Sequence, residues 1–86
     1  MDLLEEQRRG EKAALLLRDP LIEEAFRVLG ETYVAGWSNS DPSDVDQREQ
    51  CYQMLKSLEA FRRHLESVVQ TGKMASQQID AARQKH

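Results

Sequence analysis

A single cysteine in 86 residues excludes an internal disulfide framework, and a lone thiol fits a reducing compartment. One cysteine and two histidines, His64 and His86, are too few ligands to converge on zinc, so neither a metal nor a cofactor is expected. Cys51 and His64 would stand about 20 Å apart on one helix, out of reach as nucleophile and base. Gly30 and Gly36 have none of the spacings of a phosphate-binding loop. The acid pairs Glu5-Glu6 and Glu23-Glu24 read as solubilising charge on helix faces. With no catalytic constellation, the chain is expected not to be an enzyme. No apolar run approaches the roughly 20 residues that span a bilayer. Leu3-Leu4, followed at once by charges, does not make a signal-peptide core, so secretion is not expected.

Only two prolines, Pro20 and Pro42, punctuate the chain, which leaves long stretches free to be helical. Residues 2–17 favour helix by composition, but their apolar positions form two separate patches, Leu3-Leu4 and Ala13 to Leu17. That pattern predicts an N-terminal helix that docks by its ends or orders only with a partner. Asp19-Pro20 is a helix start, with aspartate as cap and proline at the first position. Ile22, Phe26, Leu29, Tyr33 and Trp37 then step by helical intervals, which predicts a helix from about Pro20 to Trp37. Gly30 and Gly36 within it would be explained by close approach of another backbone. Gly30 also invites comparison with a DNA-binding helix-turn-helix, but Phe26, four residues earlier, is too bulky for that crossing.

Ser38 to Pro42 is a loop by composition, and Ser43 with Asp46 resembles a capping box. The third helix is expected from about Asp44 to Gln70, ended by Gly72 in a left-handed conformation. A short last helix from Met74 to Lys85 completes the prediction. Cys51, Met54, Leu58, Phe61, Leu65 and Val68 form an unbroken heptad seam along the third helix, built to lie against another helix. The expected fold is all-α: an antiparallel helical hairpin, preceded by an N-terminal helix and followed by a short C-terminal one. It divides into residues 1–18, a hairpin core at 19–72 and a basic helix or tail at 73–86, in one small domain. If the whole seam is core, Leu58→Ala and Phe61→Ala should each cost about 2–5 kcal/mol.

The net charge of −3 hides an asymmetry: residues 19–50 carry eight acids and two bases, and residues 51–86 three acids and six bases. The basic end, with Arg62, Arg63, Lys73, Arg83 and Lys85, makes these five the candidates for contact with nucleic acid. They form no single stripe and no aromatics interleave to stack bases. Phe26, Tyr33 and Trp37 share one helix face. They serve either as core against the third helix or, Trp37 above all, as interface anchors, since Trp and Tyr dominate binding hot spots. With Leu3 and Leu4 they are the candidate protein-interface residues.

Asp19-Pro20-Leu21-Ile22, Trp37 followed by Ser40-Asp41-Pro42, the Arg48-Glu49 pair and the stretch from Leu65 to Ala75 resemble a group of short proteins. These are encoded by tailed bacteriophages and prophages, among head and packaging genes. The resemblance spans about residues 19–75. It implies a virion-assembly or packaging-cluster protein with a helical hairpin, placed in the virion or the bacterial host cytoplasm. Its partners would be its own copies or a larger virion protein, and no membrane. Two alternatives stand beside this: a nucleic-acid-associated packaging factor of small-terminase type, and a phage effector that binds and inhibits a host protein.

Overall fold

The computed structural model describes residues 2–84; Met1, Lys85 and His86 lie outside them. It contains three helices: α1 (Leu3–Arg18), α2 (Pro20–Ser38) and α3 (Val45–Gln84). They hold 75 of the 83 described residues, none of which is in a strand. The all-helical class is as expected. The number of helices is not, because the expected break at Gly72 does not occur: α3 runs on for 40 residues, roughly 60 Å at 1.5 Å per residue. Among the described residues no glycine has positive φ, so Gly72 is an interior helical residue, and Met74 to Gln84 belong to α3 rather than to a separate helix.

Local chemistry sets the other boundaries. Asp2 caps α1, its carboxylate accepting from the Leu4 amide at 2.9 Å. Asp19 is forced into an extended conformation, φ −66° and ψ 124°, as the residue before a proline must be. One residue therefore suffices to end α1 and begin α2. At α3 the cap is Asp44, whose carboxylate accepts from the Gln47 amide at 3.1 Å. Ser43, the expected cap, instead donates to Asp41.

The chain forms two compact units that share α3. In the first, α1 packs on the C-terminal half of α3. The sequence pattern places the docking of α1 at its ends; the structure places it in the middle. Gly10 and Ala13 of α1 and Gly72 and Ala75 of α3 are the four buried residues among those described. Leu4 and Leu15, by contrast, are 52% and 64% exposed. The cause is steric. With no side chain at Gly10 or Gly72 the two backbones meet directly, so that a Cβ built on either glycine would fall 2.7 Å from the Cα of the other. Beside this crossing Gln7 donates to the Ser76 hydroxyl at 2.9 Å.

In the second unit α2 packs on the N-terminal half of α3. Gly36 lies against Cys51, Gly30 faces Leu58, and the Phe26 and Phe61 rings stand 5.9 Å apart. The expected approach of another backbone occurs at neither glycine: a Cβ on Gly36 would come within 2.9 Å of a side-chain atom, the Cys51 Sγ, and the nearest neighbour of Gly30 is the Leu58 side chain, 4.0 Å away. The buried edge of α3 here runs through Cys51, Leu55 and Leu58, all half-buried. Met54 and Phe61, members of the heptad seam, stand on its flank at 43% and 60% exposed. A stripe wider than one helix can cover explains the difference.

Gly10→Ala and Gly72→Ala should each destabilise by about 1–3 kcal/mol, since backbone must move to admit the methyl group. Gly30→Ala, whose methyl group would make ordinary van der Waals contact with the Leu58 side chain at 4.0 Å, should stabilise by up to about 1 kcal/mol through helix propensity. Thermal melts resolve these, as about 1 kcal/mol shifts Tm by 4–8 °C in a domain this size. Likewise Leu58→Ala should cost clearly more than Phe61→Ala. Equal losses would mean that the whole seam is buried.

Candidate protein-interaction site

The four charged residues of α2 are Glu23, Glu24, Arg27 and Glu31. At 3.6 residues per turn they fall within an arc of about 100°, leaving the rest of the helix without charge. On the neighbouring part of α3, Arg48, Glu49, Lys56 and Glu59 are likewise confined to an arc of about 100°, centred on Tyr52. Asp46 and Arg62 of α3 fall outside this arc, Asp46 about 120° from Tyr52, so most but not all of the helix charges of the second unit lie on one side.

An apolar groove opens on the charged side. Tyr33, Val34 and Trp37 of α2 and Cys51, Tyr52 and Leu55 of α3 enclose about 260 Å³. Trp37 and Tyr52 are 52% and 50% exposed. Val45 and Arg48 extend the depression past Trp37. Its lining is almost wholly hydrocarbon and sulfur, so it can receive an apolar side chain but offers no group for chemistry.

The α2–α3 loop holds this end in place. The Ser40 hydroxyl donates to the Trp37 carbonyl at 2.7 Å. Arg48 donates to the carbonyls of Asp41 and Pro42 at 3.1 and 2.6 Å. Asp41 accepts from both the hydroxyl and the amide of Ser43, at 2.6 and 2.8 Å. These two bonds, the side-chain one foremost, hold the Asp41 carboxyl below the usual aspartate range.

Of the candidates from the sequence, Tyr33 and Trp37 come together in the groove. Phe26 does not join them; it lies under Phe61 on one hand and the Arg62 guanidinium, 5.1 Å from its ring, on the other. Leu3 and Leu4 sit on α1, 37% and 52% exposed. Arg62 is engaged with Phe26, whereas Arg63, Lys73 and Arg83 are exposed on α3 at intervals of ten residues. Each interval turns the helix by about 80° from full turns, so the three point in different directions; Lys85 lies outside the described residues. Among the described residues no group of three or more His, Cys, Asp or Glu could hold a metal ion, and no helix is long and apolar enough to cross a membrane. Sequence reasoning missed Val34, Tyr52 and Leu55 as partners of Trp37; the signal lay in the narrow charged arc of α2.

No protein-family model, no curated protein and no solved structure matches this chain.

A carboxyl NMR titration checks the loop. Asp41 should titrate below an ordinary aspartate, and Ser43→Ala should raise its midpoint. Because its folded pKa is depressed, the contribution of Asp41 to stability is present above the ordinary aspartate range and is lost as pH falls through the lowered value.

Proposed function

We propose that this is a non-enzymatic bacteriophage structural or assembly protein, which works by packing helices against its own copies or a larger virion protein. The observation that carries the reading is the lack of a large-residue core: the buried hydrophobic residues among those described are Ala13 and Ala75, while fourteen large apolar side chains are exposed, Leu21 at 70% and Trp37 at 52% among them. A chain that leaves such surface in water is built to be covered in an assembly. The resemblance of residues 19–75 to short phage proteins from head and packaging clusters supplies the setting, in the virion or the host cytoplasm.

In this reading α2 and the first half of α3 form an antiparallel hairpin, presented to the partner as a preformed surface. The Trp37 groove receives an apolar side chain. Eight acids against four bases in residues 20–62 favour basic residues around that side chain on the partner. Electrostatic complementarity of this kind sets specificity and association rate more than affinity.

The excess of bases in residues 51–86, six against three acids, supports a second reading, a packaging factor that touches nucleic acid. The divergent directions of Arg63, Lys73 and Arg83 argue for at most sequence-blind phosphate contact.

Mass spectrometry of purified virions tests the first reading, and the protein should be present at defined stoichiometry. Duplex DNA should bind only at low salt, since phosphate-driven affinity falls steeply as salt rises. Absence from virions, together with a sub-micromolar, sequence-selective DNA complex near physiological salt, would replace the first reading with the second.

A further inference from the structure

The contact between α1 and α3 in the first unit is two-fold in form. A Cβ built on Gly10 falls 2.7 Å from the Gly72 Cα, 3.2 Å from the Val68 carbonyl oxygen and 3.3 Å from the Gly72 nitrogen. One built on Gly72 falls 2.7 Å from the Gly10 Cα, 3.1 Å from the Glu6 carbonyl oxygen and 3.3 Å from the Gly10 nitrogen. Val68 and Glu6 each stand four residues before the glycine of their own helix, so exchanging the two helices leaves the contact unchanged. The sequences match in the same register. Gly10 and Ala13 of α1, both buried, correspond to Gly72 and Ala75 of α3, both buried, each 62 positions further on. At the same interval Leu3 corresponds to Leu65 and Leu17 to Ile79, and Leu17, Leu65 and Ile79 are half-buried. α1 thus repeats the contact pattern of the α3 face that it covers, with Glu6 and Gln7 in the places of Val68 and Val69.

We propose that α1 is an autoinhibitory stand-in for a second copy of the chain: the α3 face beneath it pairs with the same face of another α3, Gly72 on Gly72, once α1 is displaced. A contact of two-fold form is self-complementary when both sides carry one pattern, and the α3 face carries the pattern of its own occupant. In the exchanged pair Val68 and Val69 stand where α1 brings Glu6 and Gln7, so the second copy offers more apolar surface than α1 does. Two features keep α1 in place in the isolated chain. It is joined to α2 through Asp19 alone, and so short a tether holds it near the face at an effective concentration on the order of millimolar. Glu11 and Lys73 line one depression beside the crossing, acid with base, whereas two α3 helices set Lys73 against Lys73. Exchange therefore follows a high local concentration of the protein, as at a growing assembly.

The inference rests on the reading of the chain as a protein that packs against its own copies, but its test is separate. Sedimentation equilibrium of the full chain at low micromolar concentration should give the 9.9 kDa monomer. Gly10→Leu drives a side chain into the Gly72 backbone and expels α1 without altering the α3 face. It should tighten dimerisation at least about tenfold, because the competent face is no longer occupied. Gly72→Leu expels α1 equally but blocks the α3 face, and should stay monomeric. Glu11 is exposed, so Glu11→Lys keeps the chain folded, which circular dichroism verifies. It removes the attraction to Lys73 and should tighten dimerisation severalfold, the scale of an exposed charge pair. If the glycine variants unfold, it decides alone: a Glu11→Lys chain that dimerises no better than the wild type overturns the inference. A wild-type dimer at low micromolar concentration overturns it, and so does dimerisation of both glycine variants or of neither. A monomeric Gly10→Leu chain of a protein that is present in virions overturns the exchange alone. Dimerisation of Gly10→Leu only, in a protein absent from virions, supports the exchange while removing the virion role.

Discussion

A helix that packs against a single neighbour buries one stripe and leaves both flanks in water. Each unit of this protein is such a pair, and the constraint governs the rest. Side chains at the contact line reach only half-burial unless they are small enough for the backbones to close over them. That is why the fully buried positions among the described residues are glycine and alanine, and why the large apolar residues remain partly exposed. Dispersion and apolar burial, which dominate stability in a thicker core, are spread thinly here.

The two units meet the constraint differently. Around Gly10 and Gly72 the solution is proximity: backbones in contact gain many short-range contacts without any large side chain. The Gln7–Ser76 hydrogen bond, 2.9 Å long, adds direction to a contact that is otherwise featureless. Glycine within a helix costs about 1 kcal/mol relative to alanine, and the crossing is what offsets it. Between α2 and α3 the solution is bulk, with Phe26, Tyr33, Leu55 and Leu58 meeting across a wider gap. Bulk leaves grooves and flanks, and it is on these that a partner has something to grip.

Charge organises those flanks. In the second unit most charged residues of both helices gather on the side of the Trp37 groove, with Asp46 an exception on the other side. Exposed charges contribute little to stability, about 0–1 kcal/mol for a pair, and the two surface pairs here, Arg27–Glu31 at 3.5 Å and Lys56–Glu59 at 3.3 Å, fit that role. Their stronger effect is on association, through which surfaces can approach one another.

Helical class, the break at Asp19-Pro20 and the loop at residues 39–44 were legible in the sequence, because they depend on local rules: propensity, the fixed φ of proline, and the turn chemistry of Ser, Asn and Asp. Ile22, Phe26 and Tyr33 were legible as one face for the same reason, since helical period is a local property. What only the tertiary structure decided is what each face meets. Gly72 reads locally as a helix end, and it is interior because Gly10, 62 positions away in the chain, stands against it. The weak apolar pattern of α1 hid a docking site for the same cause: a glycine contact has no hydrophobic side chain to mark it. The heptad seam told truly that α3 packs along another helix, yet it could not say that Met54 and Phe61 would be left on the flank. Period specifies the direction in which a side chain points, and only a neighbour's position determines whether that direction is covered.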